Sequence, residues 1–366
     1  MGLKCGIVGL PNVGKSTLFN ALTLGKAEAA NFPFCTIDPN VGIVTVPDER
    51  LEKIEKIIIP EKVLPTAIEF VDIAGLVAGA SQGEGLGNKF LTNIRETDAI
   101  IHVVRCFDDS QIIHVSGSVD PLRDIEVVNT ELMLCDLDII EKRHKKIEKV
   151  AKMTADKGLK LEYSIVTKVF EALKAGHPAR SVVPEELEEK IYKELQLLTS
   201  KPVLYACNVK EDDYQTGGNK WTEVVFEYAK KENNIAIMMC AELEAQIGEL
   251  GVAERKEFLD SIGAKESGLN RLIVGAYKLL DLQTYFTAGK KEVRAWTIKK
   301  GTKAPQAAAV IHSDFERGFI RAETYHCNDL FQFGSEALVK DAGKYRSEGK
   351  EYVVKDGDVL FFKFNV

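Results

Sequence analysis

Over the first 130 residues short apolar runs alternate with polar loops, the rhythm of strands following helices. Leu3–Val8, Val41–Val46, Ala67–Asp72 and Ala99–Cys106 are predicted strands; Thr17–Leu24 and Asn88–Arg95 are predicted helices. This alternation predicts an α/β fold, a mostly parallel, doubly wound sheet whose ligands gather at the carboxyl ends of the strands. From Asn129 to Ser200 the period becomes helical: Leu132, Leu134, Leu137, Ile139, Ile140, Ile147 and Val150 recur among many charges. Two more such blocks, Leu159–Leu173 and Pro184–Leu198, complete what reads as an inserted helical coiled coil. The strand period returns at Pro202–Asn208 and Ile235–Ala241, with helices over Trp221–Lys231 and Asn270–Leu280. After Asp281 strands at Val293–Ile298, Ile320–Tyr325 and Val359–Val366 surround a helix over Ala304–Phe315, which suggests a small β-grasp domain. The expected boundaries are 1–130 with 201–280 for the sheet domain, 131–200 for the insertion and 281–366 for the C-terminal domain.

Chemistry enters at the end of the first strand. Residues 9–16, Gly-Leu-Pro-Asn-Val-Gly-Lys-Ser, fit G-x-x-x-x-G-K-[ST], the phosphate-binding loop of nucleoside triphosphatases. A glycine-rich turn between strand and helix aims backbone N–H groups and the positive helix end at phosphate oxygens. Asn12, Val13, Gly14, Lys15, Ser16 and Thr17 are therefore the expected phosphate-side contacts. Lys15 reaches the β- and γ-phosphates and Ser16 offers a hydroxyl to Mg²⁺. A chance match in an ordinary glycine turn is the weaker reading, because strand, helix and the whole Gly-Lys-Ser triplet fall in order.

Three further elements extend the site. Asp72-Ile-Ala-Gly75 follows a strand, where a D-x-x-G switch belongs: Asp72 would hold a Mg²⁺-bound water and the Gly75 amide would sense the γ-phosphate. Thr36, in the loop Asn31-Phe-Pro-Phe-Cys-Thr-Ile-Asp-Pro-Asn40, would complete the metal shell when triphosphate binds; an ordinary turn is the rival. At the base, a guanine reader needs Asn-Lys-x-Asp, whereas here the strand ends in Asn208-Val209-Lys210-Glu211. The missing aspartate is the group that accepts the guanine N1–H and N2 amine, so its loss relaxes or reverses guanine preference and makes ATP a candidate substrate. Cys240-Ala241-Glu242 follows the next strand and would back the base. Leu76 stands where related enzymes place a water-orienting glutamine, and leucine cannot position water. His114, in a polar loop past Cys106, could take that task; a satisfied surface histidine is the competing interpretation. Asn12 is a candidate for holding a K⁺ ion that supplies positive charge.

Bulk composition narrows the setting. The 366 residues carry a net charge of −7, 45% hydrophobic and 28% charged residues, as in a soluble globular protein of two or three domains. No apolar run nears the roughly 20 residues of a membrane helix, and the chain enters its first strand with no room for a signal peptide. Seven cysteines without a C-x-x-C pair point to reduced thiols in the cytoplasm; Cys35 is the candidate redox-sensitive one, with a plain core role as its rival. Between Glu141 and Lys160, Lys or Arg at 142, 143, 145, 146, 149, 152, 157 and 160 face acids only at 141, 148 and 156. That stripe suits either a nucleic-acid backbone or an ordinary solvated face.

Taken with Asp72–Gly87, Leu282–Ile298 and the tail from Asp356, these motifs make the chain resemble the YchF family, the Obg-like ATPases within the translation-factor GTPases. The resemblance runs nearly the whole length. It implies a G domain, an inserted coiled coil and a C-terminal TGS domain of β-grasp type. It also implies a Mg²⁺-dependent ATPase that binds GTP more weakly or comparably, with Leu76 as the hydrophobic replacement for glutamine and His114 as catalytic residue. A monomer acting as a switch on the ribosome, at its large subunit, in translation or stress regulation is the implied setting. RNA contact is expected through the basic insertion and through Lys290, Lys291, Arg294, Lys299, Lys300 and Lys303. A conventional GTPase, or a ribosome-binding scaffold with structural nucleotide, are the alternatives.

Overall fold

Residues 3–23, 40–73 and 93–365 are described by the structure, a computed structural model. The chain forms two units, Met1–Val44 with Glu69–Leu272 and Thr45–Ile68 with Ile273–Val366. The first unit is built on strands β1 (Leu3–Val8), β2 (Val41–Thr45), β4 (Ala67–Asp72), β5 (Ala99–Arg105), β6 (Val203–Asn208) and β7 (Ile235–Met239), in the order β2-β4-β1-β5-β6-β7. β3 (Lys62–Leu64) lies outside it. The β1–β5, β5–β6 and β6–β7 pairs are parallel. Every residue of β5 and β6 is buried, the mark of a parallel strand covered on both faces.

Helix α1 (Lys15–Thr23) starts directly from the loop after β1. Helix α3 (Pro121–Met153) begins earlier than the helical period suggests, because Asp120 caps it by accepting from the Arg123 amide and Pro121 suits its first turn. Three residues later α4 (Lys157–Lys174) returns, and the pair buries Ile140, Ile147, Ile165, Val166, Val169 and Leu173. These helices do not form a separate unit, and the stretch expected as an insertion over 131–200 groups with the sheet. Asp136, fully buried, ties the two ends of the stretch together by accepting from the Leu198 and Thr199 amides at 2.9 and 2.8 Å, and Arg180 Nη2 carries the stretch onto the sheet side by donating to Glu232 Oε2 at 3.1 Å. The helix expected over Pro184–Leu198 shrinks to α5 (Glu189–Glu194). Glu188 turns inward to Lys168 at 2.8 Å and accepts from the Glu185 amide at 3.0 Å, which holds 184–188 as a turn. The remaining helices of this unit are α6 (Glu211–Thr216), α7 (Lys220–Lys231), α8 (Ala241–Glu249) and α9 (Val252–Ser261); α10 (Gly268–Leu279) runs across the boundary between the units.

The second unit corrects the expected 1–130 boundary. Helix α2 (Glu49–Ile58) and β3 belong with the C-terminal residues. Its sheet runs β11-β10-β12-β8-β9-β3, where β8 is Leu282–Ala288, β9 Glu292–Lys299, β10 Phe319–His326, β11 Arg346–Glu348 and β12 Asp358–Phe364. β3 pairs parallel with β9, Lys62 opposite Glu292. Leu51 and Ile54 of α2 pack with Phe286, Val293, Tyr325 and Leu330 on one face. Helix α11 (Ala304–Ile311) covers the other through Ala304, Ala307 and Ala308 against Tyr285, Ile298 and Leu360. The helix expected to run to Phe315 breaks at His312, which is extended and whose ring accepts from the Asp314 amide to start α12 (Ser313–Arg317). Short helices α13 (Cys327–Phe333) and α14 (Glu336–Asp341) follow. Among the described residues no helix is long and apolar enough to cross a membrane.

Candidate nucleotide-binding site

The site assembles where β1, β4, β6 and β7 end. After Val8 the chain turns through Asn12, at φ 63°, and Gly14, at φ 93°, and the Leu18 amide bonds the Gly14 carbonyl at 2.9 Å as α1 begins. A Cβ at Gly14 would sit 2.2 Å from Asn208 Nδ2, and one at Gly9 2.8 Å from the Val103 carbonyl, so the loop lies tight against the sheet only as glycine. Lys15 is buried, and its ammonium bonds the carboxylate of Asp72 at the end of the neighbouring strand. Ser16 is exposed in the first turn of the same helix, and Thr17 is half-buried beside it.

Asn208 locks the two halves together. Its Nδ2 donates to the Val13 carbonyl at 2.9 Å and its Oδ1 accepts from the Ala241 amide at 3.0 Å. Its own carbonyl accepts from the Cys106 amide at 2.8 Å. The loop before α1, the loop after β7 and the end of β5 are thereby joined at one buried residue, the first two by its side chain and the third by its backbone. Val209, buried, donates its amide to the Met239 carbonyl at 2.9 Å. Cys240 precedes α8 and burial pushes its thiol above the ordinary range, so it packs rather than reacts. Glu211 differs from the rest: it is exposed and its Oε1 accepts from Gln215 Nε2 at 3.2 Å along its own helix.

His114 lies on the loop after β5, and the structure brings that loop to the phosphate loop through Asn12 Nδ2, which donates to the Ile113 carbonyl at 3.1 Å. Two residues that the sequence reading passed over shape it. Arg105 ends β5 with a buried guanidinium that donates to the carbonyls of Phe107, Asp109 and Ile112 at 3.1, 3.4 and 3.1 Å. An arginine at the end of a strand whose only other polar side chain is His102 was its available signal. Lys210 pairs with Asp109 at 3.2 Å; the Gln111 amide and then this lysine hold the Asp109 carboxyl below its usual range. Thr36, Gly75, Leu76 and Cys35 lie outside the described residues. Among the described residues no cluster of three or more His, Cys, Asp or Glu side chains could hold a metal ion.

A parallel sheet whose first strand feeds a glycine-bent loop, a buried lysine and a helix defines a P-loop nucleotide-binding protein of the GTPase fold. A family model described as 50S ribosome-binding GTPase matches residues 4–140, and the YchF-GTPase C-terminal model, a protein of unknown function, matches 282–365. The Ribosome-binding ATPase YchF of Bacillus subtilis (strain 168) is 58% identical over 367 residues, with 100% of both chains covered. Its counterpart in Haemophilus influenzae is 56% identical over 366 residues, again with 100% of both covered. The solved Schizosaccharomyces pombe YchF GTPase matches with a TM-score of 0.89 at 41% identity, over 99% of this chain and 98% of that one. The chain belongs to the YchF family.

Proposed function

We propose that this protein is a Mg²⁺-dependent ATPase that works as a nucleotide-controlled switch on the ribosome, with GTP bound more weakly or comparably. The observation that carries the reading is the contrast across β6. Asn208 grips the phosphate loop, while Glu211, at the place of the guanine-reading carboxylate, turns outward to Gln215. Without a fixed carboxylate the N1–H and N2 amine of guanine gain no paired acceptor, and adenine suffers no mismatch. The names of the relatives, ribosome-binding ATPases, support the same substrate and partner.

The donor set suits the metal. The Ser16 hydroxyl and the Thr36 hydroxyl would be hard oxygen ligands of the kind Mg²⁺ takes, and the Asp72 carboxylate would hold a Mg²⁺-bound water. When bound, Mg²⁺ supplies charge neutralisation at the phosphates. Lys15 exchanges Asp72 for the β- and γ-phosphates, the Gly75 amide senses the γ-phosphate, and Asn12 is the K⁺ candidate. Val13, Gly14 and Thr17 line the phosphates; Val209, Cys240 and Ala241 line the base. His114 is the residue that orients or deprotonates water, in place of the glutamine that Leu76 replaces.

The hairpin of α3 and α4 acts as a coiled-coil arm, and the C-terminal unit as a TGS domain of β-grasp type, each offering basic residues to RNA or to the large ribosomal subunit. Lys142, Lys145 and Lys152 already pair with Asp138, Glu141 and Glu148 one helical turn away, which weakens that part of the stripe as an RNA contact. The protein works as a cytoplasmic monomer. Side-by-side titration with non-hydrolysable ATP and GTP tests the reading: clear GTP preference refutes the account of Glu211. Ribosome binding that is equal in apo, ADP and triphosphate-analogue states refutes the switch.

A further inference from the structure

His114 has a partner that the reading above does not use. The Ser116 amide donates to His114 Nδ1 at 3.0 Å, which leaves Nδ1 as the bare nitrogen and places the ring proton on Nε2. That Nε2–H meets Asp124 Oδ2 at 2.9 Å, with side chains 7% and 3% exposed. The second oxygen, Oδ1, accepts from Arg123 Nη2 at 3.2 Å. Asp124 sits in the first turn of α3, where the positive helix end favours a carboxylate. The result is a carboxylate–imidazole pair on a loop tied to the phosphate loop through Asn12.

We propose that Asp124 is the positioning residue for His114. It fixes the Nε2–H tautomer, so that Nδ1 is the nitrogen that takes a proton, and it stabilises the imidazolium that forms. The inference rests on the ATPase reading. In the step, water oxygen bonds to the γ-phosphorus and the bond from phosphorus to the β–γ bridging oxygen breaks, its electron pair leaving on ADP. The water proton passes to Nδ1 and later to the phosphate product, while Nε2–H stays on Asp124 throughout. Before that, the Ser116 amide must leave Nδ1. That step requires the turn closed by the Gly117 amide on the His114 carbonyl at 3.0 Å to open.

The test uses the full-length protein with Mg²⁺ and ATP. Asp124→Asn is expected to lower kcat about 10²-fold, the scale of lost general-base catalysis, with KM and ATP-analogue affinity unchanged, and Asp124→Glu is expected to restore part of it. In the wild type, ¹⁵N imidazole spectra are expected to show the proton of His114 on Nε2. A fully active Asn variant, a parallel loss of nucleotide affinity, or a wild-type proton on Nδ1 overturns the proposal. The spectrum decides even where a variant fails to fold. His114→Ala run alongside separates the two readings: slow turnover there with a normal Asn variant rejects Asp124 alone, whereas normal turnover in His114→Ala rejects the histidine as well.

Discussion

Gly14 and Asn208 are predicted to be energetically one unit. Asn208→Ala strands the buried Val13 carbonyl and Ala241 amide; at ~1–3 kcal/mol for each orphaned group, the loss is about 3 kcal/mol. Gly14→Ala puts a Cβ 2.2 Å from Asn208 Nδ2, so the asparagine must shift and break the same two bonds. With roughly 1 kcal/mol more for a side chain at positive φ, that variant costs about 4 kcal/mol. Once Asn208 is alanine the clash is gone, and only the backbone strain remains. The double variant should then cost about 4 kcal/mol instead of the roughly 7 that addition gives, a coupling far outside the ~0.5 kcal/mol scatter of independent sites. Trp221 lies in the N-terminal unit and Trp296 in the other. Denaturant unfolding followed by Trp221 fluorescence in a Trp296→Phe background therefore reads the right unit. Additivity within about 0.5 kcal/mol would refute the claim that one side chain clamps the loop.

Ile54, fully buried in the second unit, should cost that unit about 2–5 kcal/mol as Ile54→Ala; Trp296 fluorescence in a Trp221→Phe background would show an unmoved midpoint if α2 were merely docked. Arg105→Met should leave ATP-analogue binding intact but loosen the loop before His114, read as faster amide exchange over Phe107–Ile113. Arg105→Lys should not rescue it, since an ammonium cannot span three carbonyls. Burial, then Arg180, lowers the His102 pKa to about 3. The unfolded chain takes up a proton from about pH 6.5 downward while the folded one does not, so stability falls by ~1.4 kcal/mol per pH unit between those values. His102→Leu should flatten that part of the stability–pH curve, and an unchanged slope would reject a buried neutral imidazole.

The glycine-bent loop before Lys15 was legible because such a loop is made by consecutive residues; the hold that Asn208 has on it was not, because Val13 and Ala241 lie far from Asn208 in sequence. What escaped depends on contacts distant in sequence. The helix over Glu49–Ile58 was not predicted, and the residues that cover its Leu51 and Ile54 lie beyond residue 282. Asp124 precedes the helical period that opens at Asn129, and only the fold places it in a first helical turn with His114 against it. Pro184–Leu198 carried a helical period that the inward turn of Glu188 overrides. The Leu282–Ala288 strand was missed because Gln283 and Thr284 blur its apolar run; both are buried and bonded, Gln283 to the Val354 carbonyl at 2.7 Å and Thr284 to Tyr277 at 2.8 Å.

The excursion of residues 45–68 into the C-terminal unit sets an order of events during synthesis. The apolar side of Glu49–Ile58 leaves the ribosome long before its covering strands exist, and at ~5–20 residues per second the wait to residue 282 is roughly 11–45 s. Glu49, Glu52, Lys53, Glu55 and Lys56 on the same short helix keep that waiting segment wet and discourage premature self-association. A nascent chain halted before its last 85 or so residues should therefore present an unpaired amphipathic segment to chaperones, even with its nucleotide loop already formed.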